Sequence, residues 1–137
     1  MTAYPGKELQ IAIFTVLKDD GALSALVNAV YDDVPDNAVF PYLVIGEFTS
    51  VTFDDKTDDG ANTTVTLHAF TQGRDKHLVH DIIARTYDLL HNAELSVVGQ
   101  NLILLRSDNF LQVFQEKTDN NTTYHGVVRY RALTREL

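Results

Sequence analysis

Histidine and aspartate side chains are the residues of this chain with the greatest potential for chemistry. His77 and His80 are three residues apart, with Asp81 adjacent, and on a helix this spacing brings possible metal ligands to one side. His68 and His125 fall in segments of strand-like alternation, and histidine is the usual general base near neutral pH. The sequence identifies neither a third convergent ligand nor a nucleophile beside them. We therefore expect polar surface or interface roles for these histidines.

An aspartate-rich run is a second candidate ion site. In alignment with the calcium-loop pattern, the first four diagnostic positions are occupied by Asp55, Thr57, Asp59 and Gly60. The final position falls on Thr66, where the pattern requires a glutamate, and no helices are predicted on either side. We therefore expect this run to be a solvated connection between two strands that becomes ordered against a partner.

Sequence signatures of a nucleophile or a cofactor site are missing. The serines have no Gly-x-Ser-x-Gly context, and the absence of cysteine removes disulfides, thiolate metal sites and cysteine nucleophiles. The seven glycines are scattered and form neither a phosphate-binding loop nor a dinucleotide fingerprint. We expect no catalytic residue, no cofactor and no metal ion.

Charge and size limit the class of protein. The 19 acidic and 11 basic side chains give a formal net charge of −8, which disfavours gripping a phosphate backbone but suits DNA that passes without adhering. The 137 residues, 45% of them hydrophobic, suit one globular domain over residues 1–137. Neither a signal peptide nor a membrane span of ~20 apolar residues is found, so we expect synthesis in a cytosol.

Hydrophobic periodicity predicts the elements that must position these side chains. Helices are expected at 7–18, 22–29 and, most clearly, 76–91. Strands are expected at 42–53, 62–70, 95–98, 102–117 and 123–133, with a bulge near 107–109. This order predicts an α+β fold: a mostly antiparallel sheet of two hairpins (ββ-α-ββ), one amphipathic helix packed on it, and helices at the N-terminus.

Short segments in a fixed order resemble one protein family. They are VYD at 30–32, VP at 34–35, FPYLVIGE at 40–47, KTD at 56–58 with Gly60, VTLHAF at 65–70, LLH at 89–91 and HGVVRYRA at 125–132. In order and spacing they resemble the tail-completion, or tail-terminator, family of long-tailed double-stranded DNA phages, prophages and gene transfer agents. Residues 107–114 and the turn after Asp119 match no recognised piece, which leaves the register of the sheet open.

The resemblance implies a structural virion protein. Its subunits would close into a ring, expected to be a hexamer, that caps the tail tube at its head-proximal end and joins it to the head connector. The implied partners are further copies of the chain, the tail tube protein and a head-completion or connector protein. DNA would pass through the lumen without specific binding, and no membrane is involved. The implied location is the virion tail, after assembly in the cytoplasm of a bacterial host.

A ring contact joins two unlike surfaces, and the sequence offers candidates for both. The first helix carries apolar side chains off its main stripe, which is consistent with either a core role or a subunit contact. The last strand has arginines on its outward face. The predicted subunit or partner interface comprises Ile11, Phe14, Asp54, Asp55, Asp58, Asp59, Arg129 and Arg131.

Two other interpretations stay open at the level of sequence. A head-completion or adaptor protein of the head-tail interface differs from a tail terminator only by its position in the particle. A small cytosolic ligand-binding domain or histidine-based enzyme would require His68, His77, His80 or His125 to cluster around a pocket.

Overall fold

The computed structural model describes residues 4–54, 59–73, 76–118 and 121–137, with Asp54 and Thr118 described by their backbone alone. The elements in chain order are α1 (Gly6–Asp19), α2 (Gly21–Ser24), β1 (Ala29–Tyr31), β2 (Tyr42–Asp54), β3 (Asp59–Gln72), α3 (His77–Leu90), β4 (Gln100–Thr118) and β5 (Asn121–Glu136). The fold is α+β, as predicted, with five strands in one mixed sheet of order β1-β2-β3-β5-β4.

Antiparallel pairing dominates the sheet. Strands β2 and β3 pair antiparallel, as do β3 with β5 and β4 with β5. Strand β1 runs parallel to β2, and the sequence did not predict it. The second helix was expected to continue to residue 29, but it ends at Ser24. Asn28 instead hydrogen-bonds the chain that enters β2, donating from its backbone N–H to the Pro41 carbonyl (2.8 Å) and from its side-chain amide to the Phe40 carbonyl (2.7 Å).

Two further expectations about strands are corrected. Residues 95–98 form no strand, and Val97 is buried there while Val98 is 77% exposed. The connection after β2 is shorter than predicted, because strand pairing continues to Asp54 and Asp59. The bulge expected near 107–109 is confirmed by a register shift between Ser107 and Phe110.

The hydrophobic core lies between the helices and one face of the sheet. The predicted stripe of α1 is buried at Leu9, Ile13 and Leu17, and α3 buries its own apolar stripe against the sheet. Contact between α3 and β5 is close at Gly126, where a Cβ would lie 2.5 Å from Ile83 Cδ1. The helices therefore cover one face and leave the other open. None of the described helices is both long enough and apolar enough to cross a membrane.

Candidate functional site

The open face of the sheet carries an aromatic row. In the register of the sheet, Tyr42 on β2, Phe70 on β3, His125 on β5 and Phe114 on β4 lie side by side. Their ring centroids are 5.2 Å apart for Tyr42 and Phe70, 4.2 Å for Phe70 and His125, and 4.5 Å for Phe114 and His125. Ring contacts at these separations are favourable. The row therefore presents partly exposed rings across four strands.

His68 lies beside this row and joins two hydrogen bonds. Its Nε2 is 2.7 Å from Glu47 Oε1, and its Nδ1 is 2.8 Å from His125 Nε2. An ionised carboxylate can only accept, so the Nε2–H of His68 donates to Glu47, and Nδ1 of a neutral His68 accepts from His125. The close approach depends on Gly46 in the β2 bulge, because a Cβ there would lie 2.6 Å from His68 Cδ2.

Two of the three side chains joined by these hydrogen bonds, Glu47 and His125, have shifted pKa values. The hydrogen bond from His68 is the main reason why the pKa of Glu47 is lowered. Burial lowers the pKa of His125, and positive charge on His68 lowers it further. The arrangement can hold or pass a proton. The described part of the chain contains no group of three or more His, Cys, Asp or Glu side chains that could hold a metal ion.

The structure separates the predicted histidines into two pairs. His68 and His125 meet on the open face of the sheet, whereas His77 and His80 are exposed on α3, across the sheet from them. His80 lines a cavity of about 650 Å³ between α3 and β4. The four histidines therefore do not gather around one pocket, which is the arrangement that the enzyme interpretation required. The sequence missed Glu47 as the partner of His68, and the adjacent Gly46 is the signal for that close approach.

The two candidate residues on α1 have different surroundings. Ile11 is 55% exposed and lines the α1 groove, a cavity of about 500 Å³ between α1 and residues 95–98. Phe14 is partly buried against the core, and the Lys18 ammonium lies 5.9 Å from its ring centroid. Ile11 is therefore available at the surface, and Phe14 contributes in part to the core.

The aspartate-rich run is described only at its ends. Asp54 and Asp59 pair at the end of β2 and the start of β3, and the remaining members Asp55, Thr57 and Asp58 lie outside the described residues. Gly60 and Thr66 belong to the same strand as Asp59. An extended strand does not wrap around a cation as a calcium loop does. The strand therefore does not match the calcium-loop alignment.

Arg129 and Arg131 lie on the outward face of β5, as predicted. The guanidinium of Arg129 is 4.6 Å from the ring centroid of Phe110 on β4, and Arg131 Nε is 3.5 Å from Asp108 Oδ1. Arg106 on β4 is directly opposite Arg131. We name Arg106, Arg129 and Arg131 the arginine strip. The sequence did not predict Arg106 as a member, because the bulge in β4 decides which arginines are neighbours.

Comparisons with known proteins identify the family. The family model for tail completion protein gp17 matches residues 11–135. The chain belongs to this family. A tail completion protein gp17 from Bacillus phage SPP1 is 28% identical over 126 residues, which are 91% of this chain and 90% of the relative. The predicted family resemblance is therefore confirmed.

Two solved structures share the fold of this tail completion family member. The bacteriophage SPP1 gp17 protein has a TM-score of 0.61 at 25% identity, covering 92% of this chain and 88% of its own. A chain in the virion of a native gene transfer agent particle has a TM-score of 0.83 at 24% identity, and the match covers 98% of this chain and 99% of that chain. Family membership makes this chain a structural component of a virion tail.

Proposed function

We propose that the protein is a tail terminator. Copies of the chain close into a hexameric ring, cap the tail tube at its head-proximal end and join it to the head connector. The observation that carries this proposal is the family match over residues 11–135, which covers nearly the whole of the described fold. The partners are the tail tube protein and a head-completion or connector protein.

The geometry supports a ring subunit because two unlike surfaces are exposed. One is the α1 groove, where Ile11 and Val98 present apolar side chains to solvent. The other is the open face of the sheet, with its aromatic row and arginine strip. A head-to-tail contact joins different surfaces and closes into a ring when the rotation between neighbours permits it. Exposed apolar surface of this kind is typical of an interaction site.

Charge supports the passage of DNA through such a ring. The net charge of −8 repels a phosphate backbone, so acidic side chains at the lumen would limit adhesion. The interface in this proposal keeps the full predicted set, namely Ile11, Phe14, Asp54, Asp55, Asp58, Asp59, Arg129 and Arg131.

Deletion of the gene from the phage, prophage or gene transfer agent that carries it tests the proposal. Electron microscopy should find tails of uncontrolled length that are not joined to heads, and expression of the wild-type chain should restore both properties. Native mass spectrometry of the purified protein should detect hexamers of the 15.3 kDa subunit. Tails of normal length that fail to join heads would instead indicate an adaptor protein. Normal, joined tails would refute both roles.

A further inference from the structure

The arginine strip concentrates positive charge on one surface of an acidic chain. Arg106 and Arg131 are directly opposite each other in the register of β4 and β5, and Arg129 follows on the same face. Like charges in directly opposite positions on a sheet repel each other. Asp108, at 3.5 Å from Arg131, offsets part of this repulsion, whereas Arg106 forms no ion pair within the described part of the chain. The strip therefore favours an acidic partner.

An apolar side chain next to the strip indicates a protein partner. Phe110, which is 36% exposed, lies against Arg129 on the open face of the sheet. A guanidinium held on an aromatic ring keeps its planar donors available to a carboxylate. Strand β4 is an edge strand, so a neighbouring molecule can approach this surface from the side.

A matching acidic segment lies at the opposite edge of the sheet. Residues 32–36, which follow β1, include Asp32, Asp33 and Asp36, and all three are exposed. Exposed Val34 lies between them and adds an apolar contact. With five strands, the two edges are separated by four strand spacings, or roughly 19 Å. Opposite edges are the positions that a head-to-tail contact brings together.

The two surfaces also lie at similar heights along the strands. Tyr31, the last residue of β1, pairs with Val44, and the same cross-strand row continues through His68 to Val127 on β5. Arg129 is two residues beyond Val127. A neighbouring copy displaced across the strands, with little shift along them, would therefore bring its acidic segment level with the strip.

We propose that the arginine strip of one copy contacts the acidic segment, residues 32–36, of the next copy. This inference rests on the proposed ring and identifies one of its contacts. The partner is a second copy of the chain because the chain itself supplies carboxylates and an apolar side chain at the required edge. DNA is disfavoured as the partner by the net charge of −8 and by the exposed ring of Phe110 beside the strip.

Two charge-reversal variants of the full-length protein test this contact. The strip variant carries Arg106→Glu and Arg131→Glu, and the segment variant carries Asp33→Lys and Asp36→Lys. Each alone should raise the concentration at which rings assemble by roughly tenfold or more, because like charges then meet at every contact. An equimolar mixture should restore assembly, because alternating subunits pair glutamate with lysine and arginine with aspartate. Native mass spectrometry over a concentration series measures both effects.

The matched control is Lys76→Glu with Lys117→Glu, which makes the same change in net charge as the strip variant at exposed residues outside the strip, the acidic segment and the predicted interface. If the strip variant assembles like this control, or if mixing restores nothing, the contact is wrong. A variant that is merely misfolded would not be restored by mixing, and circular dichroism detects it independently.

The outcomes also separate this contact from the ring itself. If wild-type rings form only on tails, the same variants and their co-expressed mixture are scored by the fraction of tails joined to heads. Wild-type protein that forms no ring in solution or on tails refutes the proposed function. Unchanged assembly of the strip variant, together with loss of salt-dependent binding to duplex DNA, would assign the strip to DNA.

Discussion

Replacing Tyr130 with phenylalanine tests a buried polar contact between α3 and the sheet. Tyr130 on β5 is fully buried, and its hydroxyl is 2.9 Å from Thr86 Oγ1. Thr86 donates its own hydroxyl proton to the Ile83 carbonyl at 2.8 Å, so Tyr130 is the donor to Thr86. Near neutral pH, Tyr130→Phe removes this hydrogen bond and leaves Thr86 bonded to Ile83. The expected loss of unfolding free energy is about 1 kcal/mol.

Alkaline pH should reverse the order of stability. Burial raises the pKa of Tyr130 from 10.0 to about 12. The folded protein therefore holds the phenol proton of Tyr130 more tightly than the unfolded chain does. The stability linked to this proton is fully present below about pH 10 and is lost as the pH rises through about 12. The shift in pKa corresponds to roughly 2.7 kcal/mol of unfolding free energy, and about half of this is lost by about pH 11. Wild-type protein and Tyr130→Phe should therefore be equally stable between about pH 10.5 and about pH 11.

Urea unfolding followed by far-UV circular dichroism, from about pH 8 to about pH 11, measures the crossing. Other ionisable groups are common to both proteins, so their effects cancel in the difference. Tyr87→Phe is the control, because Tyr87 is exposed on α3, and its stability should run parallel to that of wild-type protein. A constant difference between wild-type protein and Tyr130→Phe over this range would refute the reasoning.

Three further substitutions test the packing and the charged contacts. Gly126→Ala should lower the unfolding free energy by about 1–3 kcal/mol, because its Cβ would meet Ile83. Gly21→Ala is its control, since a Cβ there has no neighbour within 4 Å. Equal losses of unfolding free energy in the two variants would contradict this account of the contact between α3 and β5. Asp20 accepts two hydrogen bonds from Arg85, at 2.9 and 2.8 Å, which are the main reason why its pKa is lowered to about 2. The stability contributed by ionised Asp20 is present above the ordinary pKa of 3.8 and is lost as the pH falls through about 2. Asp20→Asn should therefore make the unfolding free energy depend less on pH in acid. An unchanged dependence would disprove the contact. Burial lowers the pKa of His125 below 6.5, so wild-type stability should fall as the pH drops below that value. His125→Phe should remove this dependence in urea unfolding, and its persistence would show that another group is responsible.

Local patterns predicted the elements with a marked hydrophobic periodicity. On α3, Val79, Ile82, Ile83 and Thr86 are buried, and the 3.6-residue spacing of the sequence had placed all of them on one half of the helix. Strand β5 likewise buries Tyr130 as its alternation predicted. Such periodicity can be recognised in the sequence because each helix or strand must direct one set of side chains toward the core.

Short or irregular elements could not be predicted in this way. Strand β1 has three residues, and it is held beside β2 by contacts from Asn28 to a segment about a dozen residues later. The expected strand at 95–98 has an apolar composition but no strand pairing. Propensity describes what a segment tolerates, whereas pairing with a distant segment decides its conformation.

The sequence by itself determined the α+β class, the faces of the regular helices and strands, the absence of cysteine chemistry and, through the resemblance, the tail completion family. Only the tertiary structure decided which side chains are neighbours. His68 and His125 are 57 residues apart in sequence, and Arg106 meets Arg131 only because a bulge sets the register of β4. Register follows from long-range pairing, and a shift by one residue turns every side chain to the other face of the sheet.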